Sequence, residues 1–306
     1  MGAGYDPSAP APLFHEFLTR VLPDPAVQKL LFQYIGYVFL RNMNLEKVLF
    51  LYGGGANGKS VFLNVIRNLI GEEQCCPFSL ESITKADNYL VELGNYLLNV
   101  STEISTRMKT AVFKQIASRE PLQVRHLYGR AFVMRDYATS IFSMNVLPKV
   151  TEITDAFYRR FLIVPFTVRI PDEEQNPDLA KTIIASEMSG VLNLVIKGAE
   201  SLLAEGKFDI PVVVVDEVDN FRKESDTVLI YLEENGYSPG TNDKIPLATM
   251  HSFYKTQHPN GVHKRQFSER LRSLGYEVKR YGAKNTITVF VTRTDGWRER
   301  LNGWAS

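Results

Sequence analysis

Apolar residues along this chain repeat with two different periods, and the changes of period mark out its organisation. Val27, Leu30, Leu31, Tyr34, Ile35 and Val38 keep three- and four-residue spacing, and Asp24-Pro25 before them supplies a cap and the fixed φ of a first helical turn. A helical segment over 13–46 is expected. From 47 to 170, short apolar runs alternate with helical spacing: Val48-Leu49-Phe50-Leu51-Tyr52 precedes Val61, Phe62, Val65, Ile66 and Leu69, which Gly71 closes. Further runs end at Glu103, Asn145 and Phe166. This alternation predicts an α/β unit on a largely parallel sheet. Inside it, residues 122–128 and 131–135 read as two strands around a Gly129-Arg130 turn.

After Pro171 the spacing is helical over 171–208. The run Val212-Val213-Val214-Val215-Asp216-Glu217 begins after Pro211 and continues into Val218, Phe221, Val228 and Leu232 without a turn signal. It reads as a helix start, with a strand ending in an acidic pair as the competing reading. Residues 209–295 then give helix, short strand, helix, helix and two strands joined near Gly282, the order a winged helix requires. Residues 296–306 remain as a tail. The small, proline-rich first twelve residues read as a tag or cut linker that something preceded.

Composition changes this picture little. With 44% hydrophobic residues and a net charge of +1, the 306-residue chain has ample core for two or three units. Charge is nevertheless segregated: 171–236 is acidic, whereas 101–136 and 261–300 are basic, which suggests local contacts with an anion. The adjacent Cys75 and Cys76 cannot by themselves make a zinc site, and no apolar run approaches the roughly 20 residues that span a bilayer. A cytoplasmic setting without membrane contact is expected.

The chemistry concentrates in Gly53-Gly54-Gly55-Ala56-Asn57-Gly58-Lys59-Ser60, which fits G-x-x-x-x-G-K-[ST] between a strand and a helix. Backbone N–H groups of such a loop, with Val61 opening the helix, cradle nucleotide phosphates. Lys59 would reach the β/γ oxygens and Ser60 would ligate Mg²⁺ of a bound Mg²⁺–ATP. Hydrolysis also needs an acid. Glu103 stands at a suitable strand end, with Asp216 and Glu217 as the competing pair. Asn145 could orient the attacking water, and Arg159 or Arg160 could lend charge to the phosphate of an adjacent subunit. Arg125, His126, Tyr128 and Arg130 crowd the hairpin tip, where cations with an aromatic suit a nucleic-acid backbone and base; Arg119 and Lys109 are further candidates.

In this order the residues resemble the superfamily 3 AAA+ helicases, in particular the phage and plasmid primase-helicases related to the poxvirus primase-helicase. The resemblance rests on Tyr34-Ile35-Gly36-Tyr37, Asn57-Gly58-Lys59-Ser60, Lys114, Asn145 with Pro148, Arg160-Phe161 with Pro165-Phe166, and more loosely Phe253-Tyr254 with Phe267 and Leu271. It implies an AAA+ P-loop NTPase core with N-terminal helices, a helical lid and a C-terminal winged-helix domain. By it, Glu103 is the Walker B acid, Asn145 is sensor 1 and Arg160 is the arginine finger, with Arg159 the alternative. Thr102 departs from the pattern where some members carry a second acid, and Gly129-Arg130 departs at the hairpin tip.

The resemblance further implies an ATP-dependent DNA helicase module moving on single-stranded and forked DNA as a homo-hexameric ring. A primase or primase-polymerase domain would lie upstream, in a bacterial host cell. The rival expectation is a DNA-binding initiator or defence ATPase that remodels protein on DNA without processive unwinding. A winged-helix regulator whose nucleotide domain only switches assembly is the third.

Overall fold

The computed structural model describes residues 4–85, 87–103, 108–148, 150, 154–283 and 285–293, with the backbone alone for Asp87, Asn88 and Glu103. The expected 296–306 tail lies outside them. Contacts divide the chain into Met1–Asp219 and Asn220–Ser306.

The first unit opens with helices α1 (Pro12–Val21) and α2 (Pro25–Phe39). There follow β1 (Val48–Tyr52), α3 (Lys59–Ile70), β2 (Cys75–Cys76), α4 (Leu80–Lys85), α5 (Asp87–Glu92) and β3 (Leu98–Glu103). Next come α6 (Thr110–Ala117), the hairpin β4 (Leu122–Arg125) and β5 (Ala131–Met134), then β6 (Thr139–Met144), α7 (Asp155–Tyr158) and β7 (Phe161–Pro165). Helices α8 (Leu179–Ser186) and α9 (Met188–Glu205) complete it, and α10 (Val212–Ser225) runs across the division. The run after Pro211 is therefore helical.

Five parallel strands form the central sheet in the order β2-β3-β6-β1-β7. Its middle strands are apolar in both alternations because both faces are covered. Leu49 and Leu51 join α1, α2, α3 and α9 in one core. On the opposite face Phe50 packs on Phe142 and Phe161, with ring centroids 5.5 and 4.8 Å apart, and Phe113 of α6 lies 4.9 Å from Phe161.

Helix α9 packs along α2, so the expected lid is anchored to the core. Glycines allow the approach: a Cβ at Gly198 would lie 2.4 Å from the Phe32 carbonyl, and one at Gly36 would lie 2.8 Å from Ala199. Residues 4–11 are tied to the same helix. Ser189 Oγ donates to the Gly4 carbonyl (2.7 Å), and Asn193 Nδ2 donates to those of Asp6 and Ala9 (2.8 and 3.1 Å). The segment lies against α9.

In the second unit, α11 (Thr227–Glu234), β8 (Tyr237–Pro246), α12 (Leu247–Gln257), α13 (Lys264–Ser273), β9 (Glu277–Tyr281) and β10 (Thr286–Arg293) follow in sequence. Strand β8 has ten residues, longer than expected, and pairs antiparallel with β10, which also pairs with β9. Tyr231, Tyr254, Phe267 and Leu271 fill the core beneath. Asp226 joins α11 to α13: Oδ1 accepts from the Leu229 N–H (3.1 Å), and Oδ2 accepts from Arg270 Nε (2.8 Å).

Candidate functional site

The glycine loop leaves β1 at the carboxyl edge of the parallel strands, the edge where open α/β sheets bind ligands. Gly55, Ala56 and Gly58 have φ of 103°, 48° and 87°, so the backbone curls before α3 begins. The curl is held from outside. The Asn57 amide donates to the Phe166 carbonyl (3.0 Å), and the Ile170 N–H donates to the Ala56 carbonyl (2.7 Å). Behind the loop lies α1: a Cβ on Gly58 would meet Phe17 at 2.8 Å and Val21 at 2.9 Å. Sequence reasoning missed this support, because it joins residues some forty positions apart.

Lys59 turns back into the loop. Its Nζ donates to the Gly53 carbonyl (2.6 Å), Asn57 Oδ1 (3.1 Å) and Asn145 Oδ1 (3.3 Å). Burial holds its pKa below the ordinary lysine value. Asn145 arrives there because β6 lies beside β1 with Tyr52 opposite Met144. On its other side β6 pairs with β3, with Met144 opposite Glu103. The backbone thus brings the ends of three strands together, although the Glu103 side chain lies outside the described residues. Asp216 and Glu217 belong to α10 and stand at no strand end.

Ser60, Thr102, Ser143 and Asn145 line a cleft of about 1100 Å³ that extends between α1 and the segment before α8. Phe17, Leu13, Leu179 and Ala180 give it an apolar end, and Arg20 pairs with Glu174 at its wall. Ser60 is exposed there. The residues fit a hydrated divalent ion carried by a polyphosphate: an exposed hydroxyl stands next to an ammonium whose partners among the described residues are neutral oxygens.

The two arginines after α7 differ. Arg160 is 7% exposed; its Nε and Nη2 donate to Ser118 Oγ at 3.2 and 2.8 Å, and its Nη1 donates to the Ala156 carbonyl. These bonds, together with Glu46 at 3.5 Å from Nη2, hold the guanidinium within its own chain. Arg159 is exposed, with its guanidinium 2.8 Å from Glu46.

At the hairpin, Gln123 pairs with Val133 and Arg125 with Ala131. Residues 126–130 form the connection, five residues where a two-residue turn was expected. His126 stacks on Phe132 with centroids 5.4 Å apart, whereas Tyr128 is 99% exposed at a φ of 61°. Arg125 and Arg130 are exposed beside it. Arg119 is different: its guanidinium donates to the carbonyls of Leu40 (3.2 Å) and Met43 (2.9 Å) and to Thr139 Oγ1 (2.7 Å). It fastens the end of α2 to β6, so its charge is fixed in place. In the second unit Arg270 is likewise taken by Asp226, while Lys264, Arg265, Arg272, Lys279 and Arg280 are exposed.

Residues 51–160, from β1 to the arginine pair, match a family of unknown function, DUF5906. Over 85% of its length the chain is 23% identical to a protein of Invertebrate iridescent virus 3 named "Putative helicase 121R", and it spans about a third of that protein. Two structures of the NrS-1 C-terminal region resemble it across 95% of the chain. One, an A form apo structure, has 12% identity and a TM-score of 0.54 over 78% of that chain; another apo structure has 14% identity and a TM-score of 0.51 over 77%. These likenesses show a mixed α/β fold whose central parallel sheet is consistent with a P-loop-like core.

Proposed function

We propose that the chain is the ATP-dependent DNA helicase module of a phage- or plasmid-type primase-helicase, an AAA+ ATPase of superfamily 3 with a winged-helix second unit. The observation that carries this reading is the contact of Lys59 with Asn145 at the meeting of β1, β6 and the glycine loop. It sets a phosphate-binding cation and a polar amide at one point of a cleft large enough for a nucleotide.

In this reading a triphosphate displaces the oxygens around Lys59. The ammonium exchanges the Gly53 carbonyl and the two amide oxygens for β/γ oxygens, while the loop N–H groups take the rest. Ser60 and Glu103 would hold Mg²⁺, which would supply positive charge beside the transferred phosphoryl group. Asn145, freed from Lys59, orients the attacking water, and Glu103 accepts hydrogen bonding from it. Arg159 reaches the site of an adjoining subunit in a hexameric ring. Tyr128, with Arg125, His126 and Arg130, presents an aromatic face and cations to single-stranded DNA in the channel. Exposed cations of the second unit meet forked DNA or a partner. An upstream primase or primase-polymerase domain and a cytoplasmic, bacterial setting complete the proposal.

The test is ATP-fuelled strand separation on a forked duplex, with mass in solution measured in ATP and single-stranded DNA. Unwinding with a ring-sized mass supports the module. ATP turnover stimulated by DNA without unwinding would instead give the remodelling ATPase.

A further inference from the structure

At the opposite, amino-terminal edge of the sheet, where β3 and β6 begin, a small cavity of about 130 Å³ lies under the hairpin. Arg41, Arg119 and Arg135 stand around it with Asp136, Tyr137 and Thr139. Arg119 is held with its charge uncancelled. Its donors meet carbonyl and hydroxyl oxygens, and its guanidinium lies 4.0 Å over the Tyr37 ring. A φ of 47° at Arg119 places this non-glycine residue in the left-handed region, a strained geometry kept by those contacts. Tyr137 closes the wall, its hydroxyl donating to the carbonyls of Gln115 (3.2 Å) and Glu120 (3.0 Å).

Arg41 and Arg135 are exposed and make no ion pair among the described residues. Three guanidiniums thus face one lining carboxylate, Asp136. Such an excess of cations around a pocket the size of a phosphate favours an anion. Hairpin register indicates which anion. Gln123, Arg125, Ala131 and Val133 form the exposed face of β4 and β5, and the alternation continues to Arg135. From Ala131 to Arg135 the distance is about 13 Å at the rise of a strand, a span that a few nucleotides bridge.

We infer that this cavity binds one backbone phosphate of a single-stranded nucleic acid, held by Arg41 and Arg135 over the fixed charge of Arg119, where a strand leaves the hairpin tip. The inference rests on the strand-binding reading above. It adds a contact on the far side of the sheet from the nucleotide cleft and explains why Arg119 is fastened and uncancelled.

The experiment is anisotropy of a labelled oligothymidylate of roughly 20 nucleotides titrated with the chain across a salt series. Arg41→Ala/Arg135→Ala should weaken binding about tenfold at low salt and lower the salt slope by about 0.7 for one lost phosphate contact. Arg41→Lys/Arg135→Lys should keep most of the slope, and a Lys181→Ala control on α8 should not change it. Melting curves confirm that the variants fold. An unchanged slope in the double alanine variant overturns this site alone; failure of the unmodified chain to bind the oligonucleotide at all overturns the strand-binding reading with it. Loss of melting protection by inorganic phosphate, with equal oligonucleotide binding, would assign the cavity to free phosphate and overturn the strand assignment.

Discussion

Lys59 Nζ lies 3.3 Å from Asn145 Oδ1, so the ammonium at the glycine loop and the amide at the end of the neighbouring strand hold one another. The two substitutions should therefore separate. Lys59→Ala removes the charge proposed to bind phosphate in ground and transition states alike and should weaken nucleotide affinity at least tenfold. Asn145→Ala should leave affinity close to normal, since the ammonium is released for phosphate, and lower turnover by about a hundredfold. Glu103→Gln should behave like the asparagine variant. Fluorescent-nucleotide titration beside phosphate release measures both; normal turnover in Glu103→Gln would move the acid elsewhere.

What could be read from the sequence here was local chemistry. The glycine loop, its helix and Asn145 are legible because each depends on neighbours within a few residues: a strand, a turn with positive φ, an amide before Pro148. Arg159 and Arg160 look alike in sequence, and only packing distinguishes them, since Ser118 and Ala156 claim the second. Arg119 reads as a free cation until the segment after α2 supplies its carbonyl partners. One missed contact did leave a signal. Ala11 cannot cap α1 with its side chain, and the cap comes instead from Glu187.

That distant cap gives a second prediction. Glu187, 6% exposed, accepts from the N–H groups of Leu13 (2.9 Å) and Phe14 (2.9 Å), and so fastens the helix behind the glycine loop to α9. Glu187→Ala leaves two N–H groups without their acceptor and should cost about 1–3 kcal/mol. Nucleotide affinity should fall as well, because Phe17 and Val21 of the same helix back Gly58. Chemical denaturation and nucleotide titration test the pair of effects; a stability loss with unchanged affinity would mean α1 does not support the loop.

Close packing of α2 and α9 gives a third. Gly198→Val would drive side-chain carbon into the Phe32 backbone and force the helices apart, at a cost of about 1–3 kcal/mol or more. Gly206→Ala, where no atom lies within 4 Å of the added Cβ, meets only the strain of a φ of 66° and should cost about 1 kcal/mol. Equal midpoint shifts in the two variants would show that the helix contact yields freely.

Acid should weaken a link between α2 and the segment that follows α9. Asp209 accepts from Lys29 Nζ (2.5 Å) and Gln33 Nε2 (3.0 Å); the Lys29 bond chiefly holds its pKa below the ordinary aspartate value. Its contribution is present above the unfolded carboxylate pKa and is lost as pH falls through the lower folded value. Asp209→Asn should therefore lower the melting midpoint slightly at neutral pH, and the difference should vanish below the carboxylate range. A difference that persists in acid would assign the effect to packing.

Arg159 supplies the last prediction, because it is the member of the arginine pair free to leave its own chain. Its partner Glu46 is a surface carboxylate, and exposed pairs of this kind hold on the order of 1 kcal/mol or less, so release costs little. If Arg159 completes the site of an adjoining subunit, Arg159→Ala should lower turnover by a factor of roughly a thousand while nucleotide binding persists. Mixing Arg159→Ala with Lys59→Ala subunits should restore part of the activity, since some interfaces then pair an intact loop with an intact arginine. Arg160→Ala should act differently, lowering the melting midpoint through the loss of its bonds to Ser118 and Ala156. No recovery in mixtures that demonstrably co-assemble would exclude Arg159 as the charge supplied across the interface.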